Sequence, residues 1–432
     1  MSEGLEVPAE AVAELHELMT RFAAIGATGD GGVTRLAASA EDGQARDLLC
    51  RWFEEHGFEV VVDTVGNIFG CLDLGARAGE GAVYCGSHLD SQPNGGRFDG
   101  TYGVVAACCA ALALRRQVQE GRLSPAVRYL VVAAWTNEEG ARFQPSLLGS
   151  SAFAGLVSAE AALSATDGEG RSLRAALEEI GYLGEGRPPA EPDWYVELHV
   201  EQGVELERQG RQLGVVTQCW GARKLQTRFL GKPDHTGPTP MAERRDALRA
   251  ASLLIAEVSE RALASAGRLH GSVGRIVVEP NSPNVVPHSA TLWVELRAGD
   301  EGTLESAERD FEAALARIQD ATGCRAEVER RSRREARSFD ARGVALARAA
   351  LEPLDMSVMT MATVAGHDAL ALQERVPAIL LFVPSVAGVS HAPEEYTRDE
   401  DLETGLTALV AVLARLLAGA QGAGAERSGG RP

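Results

Sequence analysis

The sequence of 432 residues is poor in lysine, in aromatic residues and in long apolar runs. No stretch reaches the roughly 18 uninterrupted apolar residues that a membrane-spanning helix needs, so we expect no membrane partner. The seven cysteines are scattered without a C-x-x-C pair, which favours reduced, buried thiols. Residues 1–10 contain three glutamates and no basic residue, so we expect no secretory signal and a cytoplasmic location.

The charge balance is strongly acidic. The 42 basic and 61 acidic side chains give a net charge of −19 at pH 7, and Lys224 and Lys232 are the only lysines. Such a field repels phosphate backbones, so we expect no nucleic-acid partner. The 45% of hydrophobic and 24% of charged residues are ordinary proportions for a globular protein, and the length favours two domains.

Hydrophobic periodicity predicts an α/β domain that is interrupted by a segment of different character. Strands alternate with helices over residues 1–213 and again over residues 334–418. Between them, residues 214–333 follow the order strand, helix, strand, strand, helix, strand, which predicts an inserted α+β domain with a βαββαβ order. Residues 419–432 are rich in Gly, Ala and Arg, and we expect a disordered tail there.

Five short polar motifs lie at the ends of predicted strands or between glycines. They are G-S-H-L-D-S (86–91), G-G-R-F-D-G (95–100), N-E-E-G (137–140), E-L-H-V-E-Q-G (197–203) and S-H-A-P-E-E (390–395). Each has a plain structural explanation when taken alone, such as a strand-end histidine with a local hydrogen bond, a helix-capping aspartate or a solvated acidic turn. Together they favour an active site, because such sites lie at the carboxyl ends of the strands in open α/β sheets.

The motifs supply five candidate metal ligands, namely three imidazoles and two carboxylates: His88, Asp99, Glu139, His199 and His391. A mixed nitrogen and oxygen set suits Zn²⁺ or Mn²⁺, with Co²⁺ or Ni²⁺ as further options. Five ligands are too many for one four-coordinate ion and enough for two ions that share a carboxylate. Asp99, which is flanked by glycines, is the candidate for the shared ligand.

Two further acidic residues are candidates for roles beside the metal ligands. Asp90 lies on the same side of an extended chain as His88, so its carboxylate can orient that imidazole. Glu138 and Glu139 are adjacent at a strand end and face different ways, so one can bind metal while the other stays free as a base.

In this order, the five motifs resemble those of the hydantoinase/carbamoylase family of amidases, within the superfamily of binuclear metallopeptidases. The resemblance extends from about residue 45 to residue 415. It implies two divalent metal ions in a mixed-sheet hydrolase domain. It also implies that His88 and His199 hold one ion, that Glu139 and His391 hold the other, and that Asp99 bridges them.

The resemblance implies a reaction as well. The expected substrate is an N-carbamoyl-L-amino acid or a related ureido acid, whose linear C–N bond is hydrolysed with release of ammonia and CO2. Glu138 matches the general base, which takes a proton from a water between the two ions. Asp90 matches the partner of His88, and Gln202 matches a polar contact near the ureido group.

The segment 214–333 resembles the family's lid, which also forms the interface of a homodimer. His235, in D-H-T-G, matches a histidine that reaches an active site and stabilises the oxyanion. Asn284, in S-P-N-V, and Arg297, in E-L-R, match positions that hold the substrate carboxylate. Arginine suits that task because its fork can bind a carboxylate through two parallel hydrogen bonds.

Departures from the family pattern leave other readings open. His288 and Val364 stand where the family usually has glycine, and Thr236 and Pro238 replace the usual residues of the lid motif. The alternative is therefore the same machinery acting on an allantoate-type substrate or on another N-acyl or amidine-like bond. A binding protein without catalysis is the third possibility, which the complete ligand set disfavours.

Overall fold

The computed structural model describes residues 7–75 and 81–419, so most of the expected tail at 419–432 lies outside the described residues. The chain divides into two compact units. The first unit comprises Met1–Thr217, Phe339–Met361 and Gly366–Pro432, and the second unit comprises Gln218–Ser338 and Ala362–Ala365. None of the helices in the described ranges combines the length and the apolar character that crossing a bilayer requires.

The strands of the described residues, in chain order, are β1 (Glu59–Val62), β2 (Ile68–Asp73), β3 (Ala82–His88), β4 (Tyr129–Trp135), β5 (Pro192–Val200), β6 (Leu213–Cys219), β7 (Gly221–Leu230), β8 (Asp234–His235), β9 (Leu269–Glu279), β10 (Val285–Val286), β11 (Ser289–Ala298), β12 (Arg325–Arg334), β13 (Arg337–Ser338), β14 (Val358–Thr363) and β15 (Ala378–Val383).

The helices of the described residues are α1 (Ala9–Ala23), α2 (Ala40–Glu55), α3 (Thr101–Gln119), α4 (Leu148–Phe153), α5 (Ala159–Leu163), α6 (Leu173–Glu179), α7 (Glu205–Arg208), α8 (Ala247–Ala264), α9 (Glu301–Thr322), α10 (Ala341–Leu351), α11 (Asp368–Leu372) and α12 (Asp399–Leu417).

A mixed sheet forms the core of the first unit, in the order β1-β2-β4-β3-β5-β15-β6, with β14 paired to β6. Strands β3, β4, β5 and β15 run parallel to one another. Strand β1 is antiparallel to β2, β2 is antiparallel to β4, and β6 is antiparallel to β15. The central strands β3 and β15 are buried along their whole length, as expected for apolar strands covered on both faces. The predicted mixed-sheet class is confirmed.

The connections from β3 and from β4 run to opposite sides of β3. From β3 the chain crosses to β4 on one side, and from β4 it crosses to β5 on the other side of β3. The strand order therefore reverses at β3. Open α/β sheets bind their ligands at the carboxyl ends of the strands where such a reversal occurs.

Helix α3 packs closely against this part of the sheet because its first half consists mainly of small residues. Nearly all of its side chains from Thr101 to Leu114 are buried. At Gly103 a Cβ atom would lie 2.3 Å from the carbonyl oxygen of Leu198 in β5, so only glycine allows this approach. The close packing brings the amino end of α3, which follows Asp99 and Gly100, to the carboxyl ends of β3 and β5.

The second unit has an antiparallel sheet in the order β12-β7-β11-β9, on which α8 and α9 pack. A separate ribbon of β8 and β10 pairs His235 with Val285. Apart from this ribbon, the order is strand, helix, strand, strand, helix, strand, as predicted. The unit comprises Gln218–Ser338 and Ala362–Ala365, compared with the expected range 214–333. Strand β6 begins in the first unit, and its last residues pair with β13.

Some elements differ from the predictions. The hydrophobic pattern of residues 242–264 predicts one helix, but α8 begins at Ala247, because the side chain of Asp246 caps it by accepting the backbone N–H groups of Leu248 and Arg249. The strands β2, β6 and β14 and the short helices α4 to α6 were not predicted. The three helices have only five to seven residues each, which is too short for a clear helical period.

Candidate metal centre

Four parallel strands carry histidines or carboxylates at their carboxyl ends. His88 is the last residue of β3, and His199 is the last residue but one of β5. His88 pairs with Trp135, the last residue of β4. Glu138 and Glu139, which follow β4, therefore come shortly after the position of His88. His391 lies in the loop after β15. The four sequence motifs at these strand ends therefore meet at one edge of the sheet.

Asp99 lies in the turn before α3, and the glycines around it are required by close contacts. Gly100 has φ +62°, and a Cβ there would lie 2.3 Å from the imidazole of His88. A Cβ at Gly96 would lie 2.0 Å from the carboxyl group of Glu395. The turn therefore presses Asp99, which is 4% exposed, into the histidine cluster.

Three imidazoles surround the Asp99 carboxylate. Its Oδ1 atom lies 3.4 Å from His88 Nε2 and 3.2 Å from His199 Nε2. Its Oδ2 atom lies 3.3 Å from His391 Nε2, which in turn lies 3.4 Å from Glu139 Oε2. Two groups of potential ligands result, and Asp99 belongs to both. This is the arrangement in which one carboxylate can bridge two ions.

The hydrogen bonds of two histidines leave the inner ring nitrogens available as ligands. His88 Nδ1 lies 2.9 Å from the carbonyl oxygen of Asp90, and His199 Nδ1 lies 2.8 Å from that of Val200. A carbonyl oxygen can only accept a hydrogen bond, so each Nδ1 carries a proton. The Nε2 atom is then the ligand nitrogen of the neutral ring, and the outer hydrogen bond holds it in place.

The buried charges of the cluster favour a bound cation. Burial by itself raises the pKa of Asp99, but hydrogen bonds to His199, His391 and His88 outweigh it and hold that pKa well below its usual value. Burial lowers the pKa of His88, yet the charge of Glu138 and the hydrogen bond to Asp99 raise it well above its usual value. Protons on the imidazoles therefore balance the negative charge of the carboxylates in this cluster. Divalent cations bound to the same nitrogen and oxygen atoms would supply that charge, so the residues fit two metal ions.

The two adjacent glutamates face different partners. Glu138 Oε2 lies 3.5 Å from His88 Nε2, whereas Glu139 Oε2 lies beside His391 and accepts a hydrogen bond from Gln92 Nε2 at 2.9 Å. Burial raises the pKa of Glu138 well above its usual value and raises that of Glu139 to about 7. Glu138 thus lies on the His88 side and Glu139 on the His391 side.

Asp90 contacts the site differently from the expectation. Its backbone carbonyl, not its carboxylate, bonds His88 Nδ1, and its nearer carboxylate oxygen lies 3.7 Å from that nitrogen. The carboxylate instead accepts the backbone N–H groups of Glu138 at 3.2 Å and of Glu139 at 3.3 Å. Asp90 therefore orients both the imidazole and the glutamate pair.

Gln202 lies beside the cluster in a left-handed backbone conformation, with φ +58°. Its Nε2 atom donates to Asp99 Oδ2 at 2.7 Å and lies 3.4 Å from His391 Nε2. Its Oε1 atom is buried and has no hydrogen-bond partner among the described residues. An unpaired acceptor at this place can receive an N–H group of a ligand.

The structure adds residues to which the sequence analysis gave no role. Glu395 accepts the backbone N–H of Asp99 at 3.0 Å and the hydroxyl of Ser390 at 2.9 Å, so it joins two loops that carry candidate ligands. His367 packs its buried ring edge-on against His199, with centroids 4.6 Å apart. In the sequence, the available signal for Glu395 was the second glutamate of S-H-A-P-E-E, and the signal for His367 was the run G-H-D-A (366–369).

The candidates of the second unit lie at opposite ends of its sheet. His235 and Asn284 are exposed neighbours on the β8–β10 ribbon, where Thr236 donates its N–H to the carbonyl of Asn284. The ribbon lies near the start of β11, at Ser289. Arg297 is eight residues further along this strand, about 27 Å from Ser289 at the usual rise per residue. Its guanidinium bonds the carbonyl of Val364 at 2.7 Å and pairs with Glu295 at 3.1 Å.

The residue His288 is placed at the strand end between the ribbon and β11. Its backbone N–H donates to the carbonyl of Glu279, and its own carbonyl accepts the N–H of Gly231. These bonds join the end of β9 to the end of β7. The imidazole is partly exposed, and its Nδ1 atom has no partner among the described residues.

The mixed sheet of an α/β domain, with a His/Asp/Glu cluster at its reversal point, is typical of a metal-dependent hydrolase. Residues 84–415 match peptidase family M20/M25/M40. The chain therefore belongs to this family, and within it to the hydantoinase/carbamoylase amidases, as the following similarities show.

The chain is 36% identical to the allantoate amidohydrolase of Bacillus subtilis over 398 residues, which cover 91% of this chain and 95% of that protein. It is 35% identical to the N-carbamoyl-L-amino-acid amidohydrolase of Rhizobium meliloti, over 88% of this chain and 90% of that protein. A crystal structure of a hydantoinase/carbamoylase family amidase from Burkholderia vietnamiensis superposes with a TM-score of 0.88 at 35% identity, covering 96% of this chain and 98% of the other. The protein is thus a hydrolase of linear amide C–N bonds.

Substitution of the shared carboxylate tests the metal centre. We expect Asp99→Asn to bind fewer than two ions per chain, because an amide has no formal charge to offset two dications. Metal content after dialysis against Mn²⁺ or Zn²⁺ measures this, with the exposed Asp320→Asn of α9 as the matched control. Two tightly held ions in Asp99→Asn would contradict the bridge.

Proposed function

We propose that the protein hydrolyses the linear C–N bond of an N-carbamoyl-L-amino acid or a related ureido acid, with release of ammonia and CO2. The observation that carries this substrate class is the buried, unpaired Oε1 atom of Gln202, whose own amide is held by Asp99. The terminal NH2 of a ureido group is a donor that can pair with this atom. An N-acyl group has a carbon in that place and leaves the acceptor unpaired, which costs about 1–3 kcal/mol.

The ligand groups suggest how two ions would be held. His88 and His199 would bind one ion, Glu139 and His391 the other, and Asp99 both, in keeping with the two groups that share Asp99. When bound, two such ions polarise a carbonyl group and lower the pKa of a water molecule. The donor set suits Zn²⁺ or Mn²⁺.

Glu138 is proposed as the general base. Its carboxylate lies 3.5 Å from the ligand nitrogen of His88, and Asp90 holds its backbone. Because Glu139 is turned toward His391, Glu138 is the free carboxylate of the pair. It would take a proton from the attacking water and return it to the departing nitrogen, so that water adds at the carbonyl carbon while the C–N bond breaks.

The second unit is proposed to bind the substrate carboxylate. Arg297 is held by the carbonyl of Val364 and by Glu295, so its guanidinium has a defined orientation. Asn284 and His235 are exposed at the other end of the same sheet. If one substrate molecule contacts Arg297 and the ribbon residues at the same time, these residues would therefore come from two different copies of the chain.

The edges of the second unit's sheet favour one face for such a homodimer. The edge strand β12 carries five arginines, and charged edges discourage strand pairing. The other edge strand, β9, exposes Ile276 and Val277. The helix packed on it, α8, exposes Leu248 and Leu253. We propose that β9 and α8 pair with their symmetry copies and that His235 of one subunit serves the site of the other as an oxyanion donor.

The second candidate is an allantoate-type substrate. This chain matches a relative named allantoate amidohydrolase and a relative named N-carbamoyl-L-amino-acid amidohydrolase at similar sequence identity. The backbone carbonyl of Val364, which replaces the family's usual glycine, accepts the Arg297 bond and so lies beside the proposed carboxylate anchor.

A substrate panel tests the proposal. The metal-loaded protein is given N-carbamoyl-L-amino acids, allantoate, and N-acetyl and N-formyl amino acids, and both ammonia and free amino groups are measured. We expect ammonia from the carbamoyl or ureido substrates. Ammonia from allantoate alone would favour the second candidate. Cleavage of N-acyl substrates alone would overturn the ureido assignment, and no cleavage of any substrate would overturn the activity.

Replacing each of the two glutamates by glutamine, in separate variants, tests their different roles. We expect Glu138→Gln to retain two ions and to lose activity by about 10²–10⁴-fold, which is the usual contribution of a general base. The matched variant Glu139→Gln should lose an ion, because Glu139 is proposed as a ligand. Metal content and kcat are measured for both. Metal loss in Glu138→Gln with full occupancy in Glu139→Gln would reverse the two roles.

Mixed dimers test the role of His235 in the partner's site. Combining inactive His235→Ala with inactive Glu138→Gln subunits should create one working site per heterodimer, because an intact His235 then meets an intact Glu138. Mixing Glu138→Gln with Glu139→Gln is the control and should restore nothing, since each site keeps one lesion. Subunits that exchange without recovery of activity, or a monomer in light scattering, would refute the proposal.

A further inference from the structure

Arg35 is a buried arginine close to the metal centre that has no part in the proposed reaction. It lies in the loop between α1 and α2, and the residue is 1% exposed. Burial lowers the pKa of its guanidinium to about 10, so the group is still charged at neutral pH. A buried charge is costly unless it is paired and hydrogen-bonded, which raises the question of what this guanidinium bonds.

The guanidinium of Arg35 donates to four neutral oxygens. Nε bonds the carbonyl of Leu89 at 2.6 Å, and Nη2 bonds the hydroxyl of Thr101 at 2.7 Å. Nη1 bonds the carbonyls of Phe22 and Ile25, both at 3.0 Å, at the end of α1. The partners are therefore carbonyl and hydroxyl dipoles from three separate segments of the first unit.

Two of these segments carry the candidate ligands. Leu89 lies between His88 and Asp90, whose carbonyl orients the His88 ring. Thr101 begins α3, two residues after the shared carboxylate of Asp99. The backbone of Arg35 adds two bonds to the first segment, since its N–H donates to Ser91 Oγ and its carbonyl accepts the Ser91 N–H, both at 2.9 Å.

We propose that Arg35 is a positioning residue that holds the His88 segment and the Asp99 segment at the spacing which the metal site on the His88 side requires. The rigid planar fork fits this task, because it reaches both segments at once in a fixed geometry. Lysine would retain the charge and lose the fork. This inference rests on the proposed metal centre.

Three variants test the role of Arg35: Arg35→Lys, Arg35→Met and Thr101→Val. The last removes only the Nη2 bond and keeps the arginine, so it remains informative if the Arg35 variants do not fold. The control is Arg223→Met in the second unit. Arg223 is also buried, at 4% exposure, and bonds the carbonyls of Ala222 and Arg334 as well as the carboxylate of Glu301. It should lower the melting temperature without changing metal binding.

The readout is calorimetric titration of the metal-free protein with Mn²⁺, together with kcat, KM and the melting temperature. We expect Arg35→Lys and Thr101→Val to weaken the binding of one of the two ions by roughly 10–100-fold, as is usual when a residue supporting a ligand is changed. The second ion, on the Glu139 side, also uses Asp99 and should be weakened less, because Arg35 bonds neither the segment of Glu139 nor that of His391. With saturating metal, kcat should fall more than KM rises.

Two outcomes separate the inference from the proposed function. If the unaltered protein does not bind two ions, the proposed centre is wrong. If it does, and the Thr101 and Arg35 variants lose stability like Arg223→Met while both ion affinities stay unchanged, Arg35 is only structural and the inference fails.

Discussion

The centre of this protein depends on one buried carboxylate that three imidazoles approach at once. Asp99 can be shared only because the turn that carries it is pressed against His88 and against Glu395, where no Cβ would fit at the neighbouring glycines. Neither His199 nor His391 lies near it in sequence. A turn that moved away by even the size of one methyl group would lose the shared contact, and the two ligand groups would become two unrelated pairs.

This constraint explains why so much of the first unit is dense and apolar. The small residues of α3 let its amino end approach β3 and β5, and Gly103 accommodates the carbonyl of Leu198. A tightly packed interior also excludes water, so the charges of Asp99 and Glu138 act on His88 through a medium of low dielectric. The same burial that makes the acids costly makes them strong ligands for a cation.

Much of the fold could be predicted from the sequence, because its signals are local. The strands Ala82–His88 and Ala378–Val383 are continuous apolar runs with motifs at or after their ends, and the amphipathic helix Asp399–Leu417 has a clear helical period. Elements without a strong period, such as β2, were not predicted. The roles of Glu395 and Arg35 could not be predicted either, since their partners are as much as 297 residues away along the chain.

The sequence by itself determined which residues are available as ligands and bases, because the types and order of the five motifs are properties of the chain. Only the tertiary structure decided how they combine. It turned the Asp90 carboxylate toward the backbone of the glutamate pair, and it put Arg297 and Asn284 at opposite ends of one sheet. Such choices depend on strand register and on contacts between distant segments, which packing of the whole fold sets and no local pattern contains.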